Sequence, residues 1–258
     1  MSCGKHFKFI FLLFFVILCH LTACRARTTD DHSVAKSNKE INLAKILPKP
    51  CGDKSKVGVK CSISPSKLHP TQFALGMRAV KEKRKNIAKI RNTLVELITY
   101  LDENAPPSVI GPNGRFYIVD GHHRTRAAAD EGLKEIFVSI VKDYSDKDMD
   151  TFWQSMKEHN FVWPYDENGD GPLNPVKIPD SVLELADDPF RSLAEEVQVK
   201  GGYAETGAYY QQFEWANFFR KKINKAQVNG QYGQAVEKAM DLAKTPAARG
   251  LPGYSPRD

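Results

Sequence analysis

Apolar side chains return every three or four positions along residues 71–107. Phe73, Met77, Val80, Ile87, Ile90, Leu94, Leu97, Ile98 and Leu101 carry the pattern. That period predicts amphipathic helix, with Thr71 as the candidate N-cap and a break near Arg84 that could divide it in two. Upstream the period is two: Val57, Val59, Cys61 and Ile63 share one face of a strand that Pro65 and Pro70 end. Downstream, the Asn113-Gly114 turn leads into the strand of "RFYIVD". A helix is predicted over 125–131, closed by Gly132, and "EIFVSIVKD" is another strand. The middle of the chain thus reads β-α-α-β-α-β, an α+β layout.

Beyond Tyr144 the pattern becomes helical and aromatic. Ser145 with Asp148 three residues on resembles a capping box, ahead of a helix with Met149, Phe152, Trp153 and Met156 on one face. Further helices are predicted near 188–200, 209–224 and 232–244, and 246–258 is a loose tail. In "DDPFRSLA", Asp188 caps a helix and Pro189 takes its first turn. Arg191 could reach back toward a site or pair with an acid. Tyr209, Phe213, Ala216 and Phe219 read as a core stripe.

The first 23 residues look like a leader. Lys5 and Lys8 precede an apolar run too short for a comfortable membrane span. Leu21, Thr22, Ala23 and Cys24 resemble a bacterial lipobox, which implies cleavage before Cys24 and lipid on its sulfur; an ordinary signal peptide or an uncleaved anchor are the alternatives. The expected product is an exported envelope lipoprotein, tethered by polar residues 24–55 to a domain over 56–145 and a helical extension over 146–245. Loss of Lys5 and Lys8 lowers the net charge from +6 to about +4, which suits an anionic partner without demanding one. With Cys24 lipidated, Cys51 and Cys61 remain, and in an oxidising compartment they most simply form one disulfide. Nearby His or Cys partners for a metal are lacking.

The densest chemistry lies in "YIVDGHHRTRAAADEG". A strand delivers Gly121 into a tight turn and a helix follows, so free N–H groups and the helix dipole favour an anion there. Arg124 and Arg126 add guanidinium forks suited to phosphate oxygens. His122 and His123 could hydrogen-bond an oxyanion or move a proton. Asp120 could orient an imidazole or hold a divalent metal ion, the one cofactor the site suggests. The basic stretch around Lys81 is a solvated face or a second phosphate contact. Asp166, Asn168, Asp170 and Gly171 match half of an EF-hand loop, but Lys177 stands where that motif needs Glu. No Gly-x-x-x-x-Gly-Lys-Ser/Thr loop or Gly-x-Ser-x-Gly elbow occurs.

"DGHHRTRA" resembles the phosphate-binding box of the ParB/sulfiredoxin superfamily: a strand, Gly-x-x-Arg, then an alanine-bearing helix. Gly121 and Arg124 match that box, and His123 matches the sulfiredoxin histidine. His122 stands where sulfiredoxin has its reactive cysteine and where partition ParB has a glutamate. Neither sulfinic-acid repair nor the partition-type CTP switch is therefore implied. "HPTQFALGMRAV", "VDGHHRTRA", "FWQSM", "DDPFRSLA" and "FEWANFFR" occur in order and together are similar to the ParB-like nuclease family. The resemblance implies a ParB/sulfiredoxin-like core of mixed sheet and helices with an α-helical C-terminal extension, and a phosphate-bearing ligand, nucleotide or nucleic acid. Three functions stay open. In a nuclease or phosphodiesterase, Asp120, His122 and His123 would do the chemistry while Gly121, Arg124, Arg126 and Lys81 bind phosphate. The alternatives are a nucleotide-dependent kinase of the free-serine type and a non-catalytic envelope protein that only binds.

Overall fold

The computed structural model describes residues 47–256. The leader, Cys24 and most of the tether lie outside the described residues. The elements are β1 (Lys60–Ile63), β2 (Leu68–His69), β3 (Ala74–Leu75), α1 (Met77–Ile90), α2 (Leu94–Glu103), β4 (Pro107–Ile110), β5 (Phe116–Ile118), α3 (His122–Asp130), β6 (Ile136–Asp143), α4 (Met149–Glu158), β7 (Ala186–Asp187), α5 (Pro189–Val199), α6 (Gln211–Arg220), α7 (Lys225–Gly230) and α8 (Tyr232–Ala243). Among the described residues no helix is long and apolar enough to cross a membrane.

Five strands form a mixed sheet in the order β1-β6-β4-β5-β2. The β1–β6 and β4–β5 pairs are antiparallel, whereas β4–β6 and β2–β5 are parallel. Alternation along the strands assigns their side chains to two cores. Phe116 and Ile118 of β5 join Val80 and Ile87 of α1 and Ala127 and Ala128 of α3 on one face. Tyr117 points to the other face and packs with Phe152, Trp153 and Met156 of α4. A third core holds α5 to α8 together around Phe190, Leu193, Trp215 and Phe219.

Several predicted boundaries move, each for an identifiable reason. Residues 71–76 are an extended strap, not the first turns of α1. Thr71 donates its hydroxyl to Ile118 O at 2.8 Å instead of capping a helix. Within the strap, β3 pairs in parallel with β7. The helical pattern breaks at residues 91–93, not at Arg84, which remains inside α1. Pro107 opens β4, a strand hidden from sequence reading by the Pro106-Pro107 punctuation; proline is tolerated at a strand's first residue. The helix predicted to begin at residue 125 begins at His122, directly after Gly121, which takes the left-handed conformation at φ 79°. Asp148, not Ser145, caps α4 by accepting from Thr151 N at 2.8 Å. Asp188 caps α5 as predicted, accepting from Phe190 N at 3.0 Å.

At the amino end of the body, Cys51 and Cys61 stand at disulfide distance, with their Cα atoms 5.0 Å apart. Pro50 bridges Ser62, so residues 50–51 run beside β1.

The strap reaches its helices through close backbone approach. Gly76 lies against α5: a Cβ there would meet Ser192 N and Oγ, each at 2.5 Å. The same Ser192 Oγ accepts from Arg78 N at 3.1 Å, and Asp187 Oδ1 accepts from Met77 N at 2.9 Å. The first amides of α1 are therefore capped by the segment that opens α5. Gly76→Ala should cost about 1–3 kcal/mol in urea unfolding, the usual range for overpacking. A change below a few tenths of that would mean that α5 does not press on the strap.

Candidate functional site

The site grows from the corner where β5 meets α3. Asp120 leaves the strand and accepts from Gly121 N through Oδ1 at 2.6 Å. Gly121 turns the chain into α3, whose start has no side-chain cap. The next amides, those of residues 122–124, therefore begin the helix as donors without an intrahelical partner. This corner opens on a cavity of about 710 Å³, a size suited to a small organic ligand.

Asp120, Gly121, His122, His123 and Arg124 all line that cavity. Arg124 leans back over the corner, its Nη2 3.5 Å from where a Cβ on Gly121 would stand. Its Nε is buried without a hydrogen-bond partner. The other two predicted phosphate ligands are elsewhere. Arg126 pairs with Asp130 at 3.0 Å and donates to the carbonyls of Val182 and Leu183, away from the cavity lining. Lys81 is exposed on α1 and does not line the cavity, whereas Lys83 does and pairs there with Glu195. Much of the remaining basic charge is also committed: Arg84 and Arg91 both pair with Glu131.

The histidines take an arrangement that their sequence spacing did not disclose. His122 Nε2 accepts from Thr71 N at 3.0 Å, and His123 Nε2 accepts from Gly76 N at 2.9 Å. Adjacent imidazoles on α3 thus hold the two ends of the strap. Both rings are buried, at 4% and 9% exposure, too enclosed for a solvated pair of bases. Burial pushes the His122 pKa down to about 3, against the pull of Asp120 and helped by Arg191. His123 is also held well below the usual value, by burial first and then by Arg191 and Lys83. Both rings are neutral at pH 7. Since Nε2 accepts, the ring proton of each sits on Nδ1, the one nitrogen left to address a ligand.

The far walls come from segments that motif reading undervalued. Trp163, Tyr210 and Phe213 line the cavity, with ring centroids 4.5 Å apart for Trp163–Phe213 and 4.9 Å for Trp163–Tyr210. Phe213 therefore belongs to the cavity wall, while Ala216 and Phe219 of the same stripe are buried core. Tyr209 is 61% exposed, not core. The aromatic density of Tyr209, Tyr210 and Phe213 at the head of the helix was the available signal. Arg191 also lines the cavity, buried beneath the Phe213 ring. Burial lowers its pKa to about 10, so it remains a cation at neutral pH.

Among the described residues no three His, Cys, Asp or Glu side chains converge as a metal site. Of the three acids that line the cavity, Asp120 stands at the α3 corner, while Glu195 is held by Lys83 and Glu205 lies on the later loop. Phosphate oxygens and water would have to complete the shell of a divalent ion held by Asp120, as is common for magnesium. The half EF-hand motif is a closed turn: Asp166 Oδ1 accepts from Asn168 N and Asp170 N at 2.8 and 2.9 Å.

Residues 61–221 match the family described as "Putative ParB-like nuclease". Among solved structures, the chain is similar to protein Atu1540 from Agrobacterium tumefaciens, with 36% identity and a TM-score of 0.69, covering 77% of this chain and 99% of that one. It is also similar to the C-terminally truncated chromosome-partitioning protein ParB from Caulobacter crescentus complexed with CTP-gamma-S, at 13% identity and a TM-score of 0.26, covering 76% and 95% of the two chains. No curated protein matches.

The buried neutral histidines tie stability to pH. Their folded pKa values lie below the unfolded value, so the unfolded chain takes up protons first as pH falls. Stability is full above about pH 6.5 and falls below it, by about 1.4 kcal/mol per pH unit for each histidine. For His122 the loss continues to about pH 3. Urea unfolding at pH 7.5 and 5 should show this loss, and His122→Asn should reduce its slope. A flat profile between those values would show that the rings are not neutral and buried.

Proposed function

The chain belongs to the ParB-like nuclease family, and from that premise we infer that it binds a phosphate-bearing ligand of nucleotide size at the start of α3. The uncapped helix start behind left-handed Gly121, opening on the cavity, is the observation that carries this reading. Amides 122–124 supply donors and the helix dipole favours the charge. Arg124 adds a guanidinium whose buried Nε lacks a partner in the protein. The two Nδ1–H groups are neutral donors for an oxyanion. The aromatic wall of Trp163, Tyr210 and Phe213 offers a surface on which a planar base can stack.

A hydrolytic role, the phosphodiesterase or nuclease chemistry of the family description, is favoured by Asp120. Its carboxylate is exposed at the cavity beside the phosphate seat. With both imidazole Nε2 lone pairs occupied by strap amides, Asp120 is the group placed to take a proton from water or to hold a divalent ion against the phosphate. His122 and His123 act as positioning donors in this account. If the leader directs export and Cys24 carries lipid, the substrate is a phosphoester met at an envelope membrane. Scarcity of ATP and ADP outside the cytoplasm disfavours the kinase alternative.

In thermal-shift measurements, inorganic phosphate and nucleotides should raise the Tm of the full chain, and Arg124→Ala should cut that response at least fivefold in ligand concentration. With magnesium or manganese, a generic phosphodiester should be cleaved, and Asp120→Asn should abolish turnover while the thermal response to phosphate remains. Protection without turnover would leave a binding protein. Turnover only with ADP or ATP would point to the kinase, and no response to any phosphate would refute the reading.

A further inference from the structure

Arg191 is a buried cation with acids nearby but none in a salt bridge to it among the described residues. It is 5% exposed, and Nε and Nη1 have no hydrogen-bond partner. Its guanidinium carbon lies 3.3 Å from the centroid of the Phe213 ring. Among the described residues it forms no ion pair, because the acids around it are engaged elsewhere. Asp188 is bound to Arg220, Glu195 to Lys83, and Asp120 Oδ1 to the amide of Gly121. Contact with an aromatic face offsets part of the cost of burying a guanidinium and supplies no hydrogen bonds. A guanidinium kept only for stability would be expected to hold one of these carboxylates. Instead Arg191 lines the cavity with two buried nitrogens that the protein leaves unpartnered.

Arg191 and Arg124 reach that cavity from different sides. Arg124 folds beside Gly121, whose own nearest neighbours are Pro106 atoms, on the sheet side. Arg191 comes from α5, beneath a ring of α6. We propose that Arg191 is a ligand-binding residue that takes an oxyanion of the ligand other than the phosphate seated on α3. This rests on the reading of α3 as a phosphate seat and narrows it: the ligand carries at least two phosphate groups in succession. Such groups occur in an oligophosphate and in a nucleic-acid backbone. The helical extension then contributes directly to recognition, and the sheet with α3 is an incomplete site without it.

Affinities of the full chain for inorganic phosphate, pyrophosphate and a 5′-phosphorylated dinucleotide test this by isothermal titration. The wild-type chain should bind at least one of the two-phosphate probes tenfold or more tightly than phosphate. Preference for pyrophosphate would assign an oligophosphate, and preference for the dinucleotide a backbone. In Arg191→Lys, which keeps the charge but loses the planar fork, that preference should shrink at least fivefold. Arg191→Met should shrink it further. If Arg191→Met does not fold, as judged by circular dichroism, Arg191→Lys decides. A wild-type chain that binds phosphate and both two-phosphate probes equally would overturn this inference and leave the phosphate seat standing. So would a preference that survives in Arg191→Lys within twofold. Failure to bind any of the three would remove the phosphate seat itself.

Discussion

Two neutral imidazoles, each accepting a backbone amide of one extended segment, set the geometry of this protein. Thr71 N and Gly76 N are the donors and His122 and His123 the acceptors. Between those two points the strap makes contact with nearly every layer. Thr71 O accepts from Trp163 N at 3.0 Å, and Leu75 O accepts from Asp188 N at 2.7 Å. Phe73 O accepts from Ala186 N at 3.1 Å. The sheet, α3, α5 and the loop carrying Trp163 are thus all registered against six residues of chain. Charged imidazoles could not accept these amides, so burial and lowered basicity are conditions of the fold.

The same contacts explain why the cavity sits where it does. The strap passes over the α3 corner and fixes α5, which brings Arg191 toward the amides that open α3. Some helix starts are met from within the protein: α1 by Ser192 and Asp187, α4 by Asp148, α5 by Asp188. The start of α3, like those of α2, α6 and α8, has no such side chain, but it opens on the cavity beside the unpartnered Nε of Arg124. Arg124 and Arg191 therefore line a common space without a salt bridge to either of them among the described residues. Function, on this account, resides in what folding left unpaired.

Much of this was legible in the sequence. The α+β class, the strand-turn-helix at Gly121, the α5 cap and the helical last third follow from local rules: a period of two or four, a glycine at a positive φ, an aspartate before proline. The five ordered motifs also prove to be spatial neighbours in part. "HPTQFALG" is the strap, "DGHHR" its anchor, "DDPFRS" the source of Arg191 and Ser192, and "FEWANFFR" the source of Phe213. What the sequence concealed was direction. Nothing local shows that both histidine rings turn toward amides some fifty residues earlier, or that Arg126 points to the carbonyls of Val182 and Leu183 while Arg124 stays at the corner. Those choices are made by tertiary contacts. A helix start displaced to Met77 was missed for the same reason, whereas the strand beginning at Pro107 was masked by its own prolines.

The protonation state of the two histidines is the most direct test of the account. Long-range proton–nitrogen NMR correlation on selectively labelled histidines distinguishes the tautomers. At pH 7 the account predicts that His122 and His123 are both neutral, with the proton on Nδ1 and an unprotonated Nε2 accepting from the amides of Thr71 and Gly76. Either ring found as imidazolium, or carrying its proton on Nε2, would contradict it.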